Sequence, residues 1–393
     1  MKLQTKAVHV GDRKPAGQHV PVTTPIHTAA SYFYPETAML DKIFGHEAAG
    51  YAYARYDNPT NAALEELVAS LEGAEGSLAT ASGMTALQSV LLTCLSERKK
   101  RVLCADALYG ATVKLVLNLL EPFGVETRMV NICDTAAVEA AIADFQPGCI
   151  VLETISNPLL RVPDLDAISA LAKAAKAALI VDNTFATPLL IRPFEHGADY
   201  VVHSLTKFLS GHGDVMGGIV LANGEKLEEL RAMSRVAGPV LGPFEAYLSM
   251  RGIKTFPLRM ERQCQNARKL AAWLREQPRV VKVNYLDDPQ HPDHAAIGKL
   301  FTDDLYGAMV SFEVEGLDTA GVFTFMDKLQ MIVRATSLGD VHTMMLHPYT
   351  SSHRDVSPKH KERTGIRENL VRVSVGIEDV NDVIVDLDRA LSA

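Results

Sequence analysis

Two charged residues lie at the ends of apolar runs that are predicted to form buried strands. The run 177–181 (AALIV) ends at Asp182, and the run 200–203 (YVVH) leads through Ser204 to Lys207. Both runs are short and rich in β-branched residues, which is typical of strands in a parallel sheet. Ligands bind beyond the carboxyl ends of such strands, so both side chains are predicted to face one crevice. A structural ion pair is the alternative interpretation, because buried pairs are common.

The neighbours of the lysine favour a cofactor site over an ion pair. Ser204 and Thr206 flank Lys207 at alternating positions, and the turn GHG follows at 211–213. Hydroxyls and open backbone of this kind suit a phosphate. A lysine amine can form a Schiff base with the aldehyde of pyridoxal 5′-phosphate (PLP), and a carboxylate such as that of Asp182 can keep the cofactor's ring nitrogen protonated. The segment therefore predicts a PLP site.

Five motifs follow one another in order over nearly the whole chain. They are YARYDNPT at 53–60, SGMTA at 82–86, VDNTFATP at 181–188, HSLTKFLSGHGDV at 203–215 and LVRVSVGIE at 370–378. With them the chain resembles the Cys/Met-metabolism group of fold-type I PLP-dependent enzymes, which includes methionine γ-lyase, cystathionine γ-lyase, cystathionine γ-synthase and the acylhomoserine sulfhydrylases. The resemblance implies an aspartate aminotransferase-like α/β fold, with a doubly wound, mainly parallel sheet and a smaller C-terminal α+β domain.

The pattern along the chain predicts three parts. Residues 1–57 lack a clear period, which predicts an N-terminal arm lying on a neighbouring subunit. Residues 58–245 alternate apolar strands with helices, as in a doubly wound domain that binds PLP. Residues 246–393 are predicted to form the α+β domain. Its predicted elements are a long helix over 250–274, strands near 280–286, 307–316, 331–337 and 370–378, and a helix over 380–391.

Three further strand ends carry candidate residues. Gly83 and Met84 lie between a strand and a helix, where free N–H groups could hold phosphate, although a lone glycine is more often only a turn. Tyr109 alone could be a packing tyrosine and Asn157 a turn former before proline. The resemblance implies that Tyr109 stacks on the pyridine ring and moves protons near the substrate, and that Asn157 hydrogen-bonds the cofactor's phenolic oxygen and lies at the substrate.

Four other residues acquire roles from the resemblance. Tyr53 and Arg55 would face the same side of an extended segment, and the resemblance implies that they reach the phosphate of the adjacent subunit's cofactor. Arg372 alternates with valines along 370–376, so it is predicted to lie on the wet face of a strand. The resemblance implies that Arg372 binds the substrate α-carboxylate in a bidentate pair, assisted by Ser337.

The reaction implied by the resemblance is chemistry at the γ carbon of an amino acid. Lys207 would move protons at the α and β carbons, and Tyr109 would protonate a departing sulfur. The segments TFATP, SGHGDV and MRGIKT most resemble the corresponding segments of methionine γ-lyases. A γ-lyase of methionine or cystathionine type, releasing 2-oxobutanoate, ammonia and a thiol, is therefore the preferred interpretation. A homotetramer built as a dimer of dimers with shared active sites is also implied.

Several class-specific positions keep other reactions open. Ala111 stands where methionine γ-lyases typically have cysteine, and Ser234 and Arg235 stand where they have a Lys-Asp pair. Thr336 replaces the glutamate often found in cystathionine-specific members, and His342 also departs from the usual form. Replacement at the γ carbon, as in cystathionine γ-synthase or an O-acylhomoserine sulfhydrylase, is the alternative. A non-catalytic aminotransferase-like module is disfavoured because the lysine, the aspartate, the tyrosine and the arginine are all present.

Composition excludes several other classes of protein. The 393 residues have a net charge of −8 and no basic run, which argues against nucleic acid as a partner. No apolar run approaches the ~18 residues of a membrane span. Five scattered cysteines favour a reducing compartment, and we expect a cytoplasmic enzyme. The motif HPDH at 291–294 lacks a third ligand, so no metal site is predicted.

Overall fold

The computed structural model describes residues 1–14, 19–96, 99–301 and 303–392. Two β-sheets organise the chain. The strands of the first sheet are β1 (Gly76–Thr80), β2 (Arg101–Ala105), β3 (Glu126–Val130), β4 (Cys149–Glu153), β5 (Ala178–Asp182), β6 (Tyr200–Ser204) and β7 (Gly218–Ala222). The strands of the second sheet are β8 (Val280–Asn284), β9 (Met309–Val314), β10 (Val333–Arg334), β11 (Met344–Leu346) and β12 (Leu370–Ser374).

Helices connect and cover the sheets. They are α1 (Leu3–His9), α2 (Thr37–Phe44), α3 (Pro59–Glu72), α4 (Gly83–Ser96), α5 (Gly110–Lys114), α6 (Thr135–Phe145), α7 (Leu165–Ala175), α8 (Thr187–Leu190), α9 (Gly224–Ala237), α10 (Pro243–Ile253), α11 (Phe256–Arg275), α12 (His294–Leu300), α13 (Thr319–Asp327), α14 (Pro358–Thr364) and α15 (Val380–Ser392). Helix α5 continues as a π-helical segment over Leu115–Leu120, and short 3₁₀ turns lie at Glu121–Phe123, Pro193–His196 and Pro348–Thr350.

The first sheet brings the predicted strand ends to one edge. Its order is β1-β7-β6-β5-β4-β2-β3, and the pairs from β6 to β3 are all parallel. Strand β7 is antiparallel to both neighbours, so β1 runs in the same direction as β6. The carboxyl ends of β1, β2, β4, β5 and β6 therefore meet at the same edge. The predicted fold class, a doubly wound and mainly parallel sheet followed by a smaller one, is confirmed.

The second sheet has the order β10-β11-β12-β9-β8 and is antiparallel except between β10 and β11. One face packs on α11, α13 and α15 through a core that includes Phe312, Val371, Val373 and Leu387. The other face of β12 carries Arg372 and Ser374, and both are buried. The prediction that Arg372 lies on a wet face is therefore wrong, because the chain following β4 and the loop at Ser337 cover that face.

Two predicted elements differ from the structure in more than the position of their ends. The helix predicted over 250–274 is two helices, since α10 ends at Ile253 and α11 begins at Phe256. Pro257 has no N–H to donate and is tolerated only in the first turn of a helix. The strand predicted over 331–337 is reduced to Val333–Arg334, because the N–H groups of Met331 and Ile332 donate to the carboxylate of Asp386 instead of to a strand.

Local signals at α3 and α4 agree with the structure. Asn58 caps α3 by accepting the N–H of Thr60, and Gly73 ends the helix at a φ of 76°. Gly83 is the first residue of α4, as its position between a strand and a helix predicted. The domain boundaries at residues 57 and 245 stay predictions. No helix within the described ranges is both long and apolar enough to cross a membrane.

Candidate active site

The turn after β5 ties Asp182 to the segment that carries the lysine. The N–H of Thr184 donates to Asp182 Oδ1 at 2.9 Å, and Thr184 Oγ1 accepts the N–H of Ser204 at 2.9 Å. Burial raises the pKa of Asp182, while its hydrogen bonds with Thr184 and the nearby His203 lower it. The end of β5 and the beginning of the lysine loop are therefore held together by one threonine.

Lys207 links the loop after β6 to the loop between β10 and β11. Its Nζ donates to Ser337 Oγ at 3.2 Å, although the two residues are 130 positions apart in the chain. Burial, and then the positive charge of Arg372, lower the pKa of Lys207 to about 8. A lysine with such a pKa carries a substantial neutral fraction near neutral pH, and the neutral amine is the form that can attack a carbonyl.

Arg372 has one unused donor in a buried place. Its Nη1 donates to Asn157 Oδ1 at 2.9 Å, and its Nη2 donates to the carbonyl oxygen of Ser337 at 3.2 Å. The residue is 2% exposed, and its Nε has no hydrogen-bond partner within the described chain. Burial lowers the pKa of Arg372 to about 10. A buried guanidinium without a carboxylate partner suits a ligand that supplies one.

The amino end of α4 lies against the end of β6. A Cβ added at Gly83 would lie 3.0 Å from Ser204 Cβ and 3.3 Å from Ser204 Oγ, so the two elements approach closely and a larger residue would press on Ser204. Met84 is the second residue of α4. The hydroxyl of Thr206 is engaged with the backbone of Gly217, since its Oγ1 accepts the N–H of Gly217 at 3.0 Å. A serine hydroxyl at a helix N-terminus fits a phosphate.

Tyr109 and Asn157 share a partner that the sequence analysis missed. Glu153, the last residue of β4, accepts the N–H of Tyr109 on Oε1 at 2.6 Å and the N–H of Asn157 on Oε2 at 3.2 Å. Burial, and then the charge of Asp182, raise the pKa of Glu153 to about 8. The signal was available, because Glu153 ends an apolar run in the same way as Asp182 does.

The predicted pair on the N-terminal arm lies apart from this cluster within one chain. The guanidinium of Arg55 lies over the rings of Tyr53 and Tyr56, with centroid distances of 5.4 and 4.8 Å. Arg55 also donates to the carbonyl oxygen of Arg235 on α9. No hydrogen bond or ion pair within the described residues joins Tyr53 or Arg55 to Lys207.

The residues that meet at the sheet edge fit PLP. An amine with a lowered pKa can bond the aldehyde, and the half-buried carboxyl of Asp182 can face the ring nitrogen. The N-terminus of α4 beside Ser204 can hold the phosphate. The Nε of Arg372, which has no hydrogen-bond partner within the described residues, can donate to the carboxylate of an amino acid.

Comparisons with known proteins agree with this chemistry. The family model described as Cys/Met metabolism PLP-dependent enzyme matches residues 4–392. The chain is 39% identical to an L-methionine gamma-lyase of Fusobacterium nucleatum subsp. polymorphum, over 99% of this chain and 98% of that protein. It is 38% identical to an O-succinylhomoserine sulfhydrylase of Pseudomonas aeruginosa, over 100% of this chain and 95% of that protein. The crystal structure of cystathionine gamma-lyase from Lactobacillus plantarum complexed with L-serine matches with a TM-score of 0.92 and 34% identity. The match covers 100% of this chain and 99% of that chain.

Proposed function

Because the chain belongs to the Cys/Met metabolism family of PLP-dependent enzymes, we propose that it is a γ-lyase of sulfur amino acids. PLP is the cofactor, as the residues around Lys207 predicted. The proposed reaction is α,γ-elimination from methionine or cystathionine, which consumes water and gives 2-oxobutanoate, ammonia and a thiol. The observation that carries this proposal is the Lys207 amine, which lies 3.2 Å from Ser337 Oγ beside the buried Arg372 and has its pKa lowered to about 8.

The cofactor is held by groups at the edge of the first sheet. We assign the bond to its aldehyde to Lys207, the contact with its ring nitrogen to Asp182 and stacking on its ring to Tyr109. Its phosphate is assigned to a set of backbone and hydroxyl groups on α4 and the lysine loop, namely Gly83, Met84, Ser204 and Thr206. Bound PLP supplies an electron sink for negative charge at the α carbon of the substrate.

The protein's own groups orient the substrate and move its protons. Arg372 binds the α-carboxylate with Ser337 beside it, and Asn157 orients the Arg372 guanidinium through the 2.9 Å hydrogen bond. The Lys207 amine, mostly neutral above a pH of about 8, accepts the α proton, gives that proton up and then, neutral again, removes a proton from the β carbon. The Tyr109 hydroxyl, on a residue that is 41% exposed, protonates the departing sulfur.

Replacement at the γ carbon is the second candidate reaction. It is favoured by the 38% identity to the O-succinylhomoserine sulfhydrylase and by the class-specific positions where this chain has Ala111, Ser234 and Arg235. In that reaction a thiol or sulfide takes the place of the departing group, and no 2-oxo acid is released.

One panel of assays separates these reactions. The purified protein with PLP is incubated with methionine, cystathionine, homocysteine, cysteine and O-acylhomoserines, with and without sulfide. We expect 2-oxobutanoate and a thiol from methionine or cystathionine without added nucleophile. A new thioether or thiol amino acid formed only with sulfide would establish replacement, and pyruvate alone from cystathionine would exclude the γ-lyase. A protein that stays colourless with PLP would support the non-catalytic module.

The enzyme is proposed to act as a homotetramer in the cytoplasm. In one chain Tyr53 and Arg55 contact the arm and α9, so we assign them to the phosphate of a neighbouring subunit's cofactor. Phe33 and Val236 are each 87% exposed, which favours burial against another copy. None of the five cysteines, all of which lie in the described ranges, forms a disulfide bond, as is usual in a reducing compartment. Light scattering after gel filtration measures the assembly, and a stable monomer with full activity would contradict shared sites.

A further inference from the structure

Glu153 is a buried carboxyl that the proposed reaction does not use. It ends β4, is 8% exposed and lies in register beside Asp182 at the end of β5. Within the described chain, no lysine, arginine or histidine forms an ion pair with it, and the charge of Asp182, which has the same sign, raises its pKa further. A buried carboxyl in such a place is unfavourable unless hydrogen bonds compensate it.

Two backbone N–H groups provide that compensation, one for each carboxyl oxygen. Tyr109 donates to Oε1 at 2.6 Å, and Asn157 donates to Oε2 at 3.2 Å. Tyr109 immediately precedes α5, so its N–H has no acceptor within that helix. The contact with Asn157 is buried and the contact with Tyr109 is partly buried. A buried N–H without an acceptor is rare in folded proteins, so the loop after β4 above all depends on this one side chain.

We propose that Glu153 is a positioning residue, whose carboxyl group holds the Tyr109 ring and the Asn157 amide as one unit around the cofactor. This inference rests on the proposed function. Asn157 Oδ1 also accepts from Arg372, so the unit extends to the group assigned to the substrate carboxylate. Lys207 makes its hydrogen bond to Ser337 and none to Glu153, Tyr109 or Asn157. Loss of Glu153 therefore disturbs the ring-stacking face and the carboxylate site while the lysine stays in place.

The variant Glu153→Gln tests the inference with little change of shape. A glutamine offers one acceptor oxygen and one NH₂ group, so it can keep only one of the two N–H groups bonded. In hydrogen exchange of the full chain without cofactor, we expect the amide of Tyr109 or Asn157 to exchange at least about tenfold faster. The amides of Leu103 in β2 and Ile150 in β4 are expected to keep their exchange rates.

Cofactor spectroscopy gives a second readout. With PLP added, Glu153→Gln is expected to show the visible absorption band with an altered circular dichroism signal, because the stacked tyrosine is displaced. The KM for the amino acid should rise by about tenfold, since Arg372 loses its oriented partner. Glu313→Gln is the matched control: Glu313 is 2% exposed in β9 and pairs with Arg367 at 3.4 Å. It should leave the dichroism and both exchange rates unchanged.

Glu153→Asp covers the case in which the glutamine variant fails to fold. Aspartate keeps two acceptor oxygens but is one carbon shorter, so it cannot reach both loops, and faster exchange at one of the two amides is again expected. Unchanged exchange at Tyr109 and Asn157, with unchanged dichroism and KM, would overturn the inference. If the unmodified protein gave no visible band with PLP, the proposed function would fail, whereas the exchange rates would still decide whether Glu153 holds the two loops.

Discussion

Removal of the positive charge at Arg372 is expected to raise the pKa of the Lys207 amine. Burial, and then Arg372, hold that pKa at about 8, whereas an ordinary lysine has a pKa near ~10.4. At pH 7, an amine with a pKa of about 8 is about 9% neutral. An ordinary lysine is about 0.04% neutral at the same pH. The site therefore increases the fraction of amine that can attack an aldehyde by about 200-fold.

The pH dependence of chemical modification measures this pKa. The full chain without PLP is treated briefly with an amine-reactive reagent at a series of pH values, and mass spectrometry quantifies the peptide that contains Lys207. We expect a midpoint of about 8 in the unmodified protein. In Arg372→Met the midpoint should rise but stay below that of an ordinary lysine, because burial is the larger cause.

Arg128, which is half-buried and pairs with the exposed Asp144, provides a matched control. Arg128→Met should leave the midpoint for Lys207 unchanged. A midpoint of ~10.4 in the unmodified protein would refute the conclusion that partial burial and a nearby positive charge lower the pKa of Lys207. A midpoint that did not move in Arg372→Met would refute the role of the guanidinium.

Two further variants test other parts of the account. Burial raises the pKa of Glu65 to about 8. Between pH ~4.5 and 8 the folded chain therefore keeps a proton that the unfolded chain loses, and the free energy of unfolding falls as the pH rises. Glu65→Gln should lack this slope and be more stable at pH 8.5 by on the order of 2 kcal/mol in denaturant unfolding; an unchanged slope would contradict it. Asp182→Asn should keep the visible band with PLP but lower kcat by at least about 10²-fold, because an amide cannot hold the ring nitrogen protonated; unchanged kcat would remove Asp182 from that role.

The strands that position the site were predictable because buried parallel strands are continuous apolar runs. Strands β4, β5 and β6 are such runs, and each ends at a polar residue that lies in or beside the candidate site. Strand β3 is an edge strand with the sequence ETRMV and an exposed first residue, so it lacks that signal. Strand β10 has only two residues, and its boundaries depend on Asp386, which is distant in the sequence.

Contacts between segments that are distant in the chain could not be predicted from the sequence. The alternation around Arg372 correctly separated two faces of β12, but a period of two does not reveal what covers each face. Glu153 meets Tyr109 across 44 positions of the chain, so its role appears only when β2 and β4 are adjacent. The motif resemblance placed Ser337 and Arg372 at one carboxylate, and the structure adds that hydrogen bonds connect both residues to Lys207 and Asn157, with Arg372 bonded to the backbone carbonyl of Ser337.

Reduction with borohydride tests the central claim most directly. The protein is incubated with PLP, reduced and digested, and mass spectrometry locates the pyridoxyl group. We predict one modified site per chain, on the peptide that contains Lys207, and no visible band in Lys207→Ala. A pyridoxyl group found on another lysine, with Lys207 unmodified, would contradict the account.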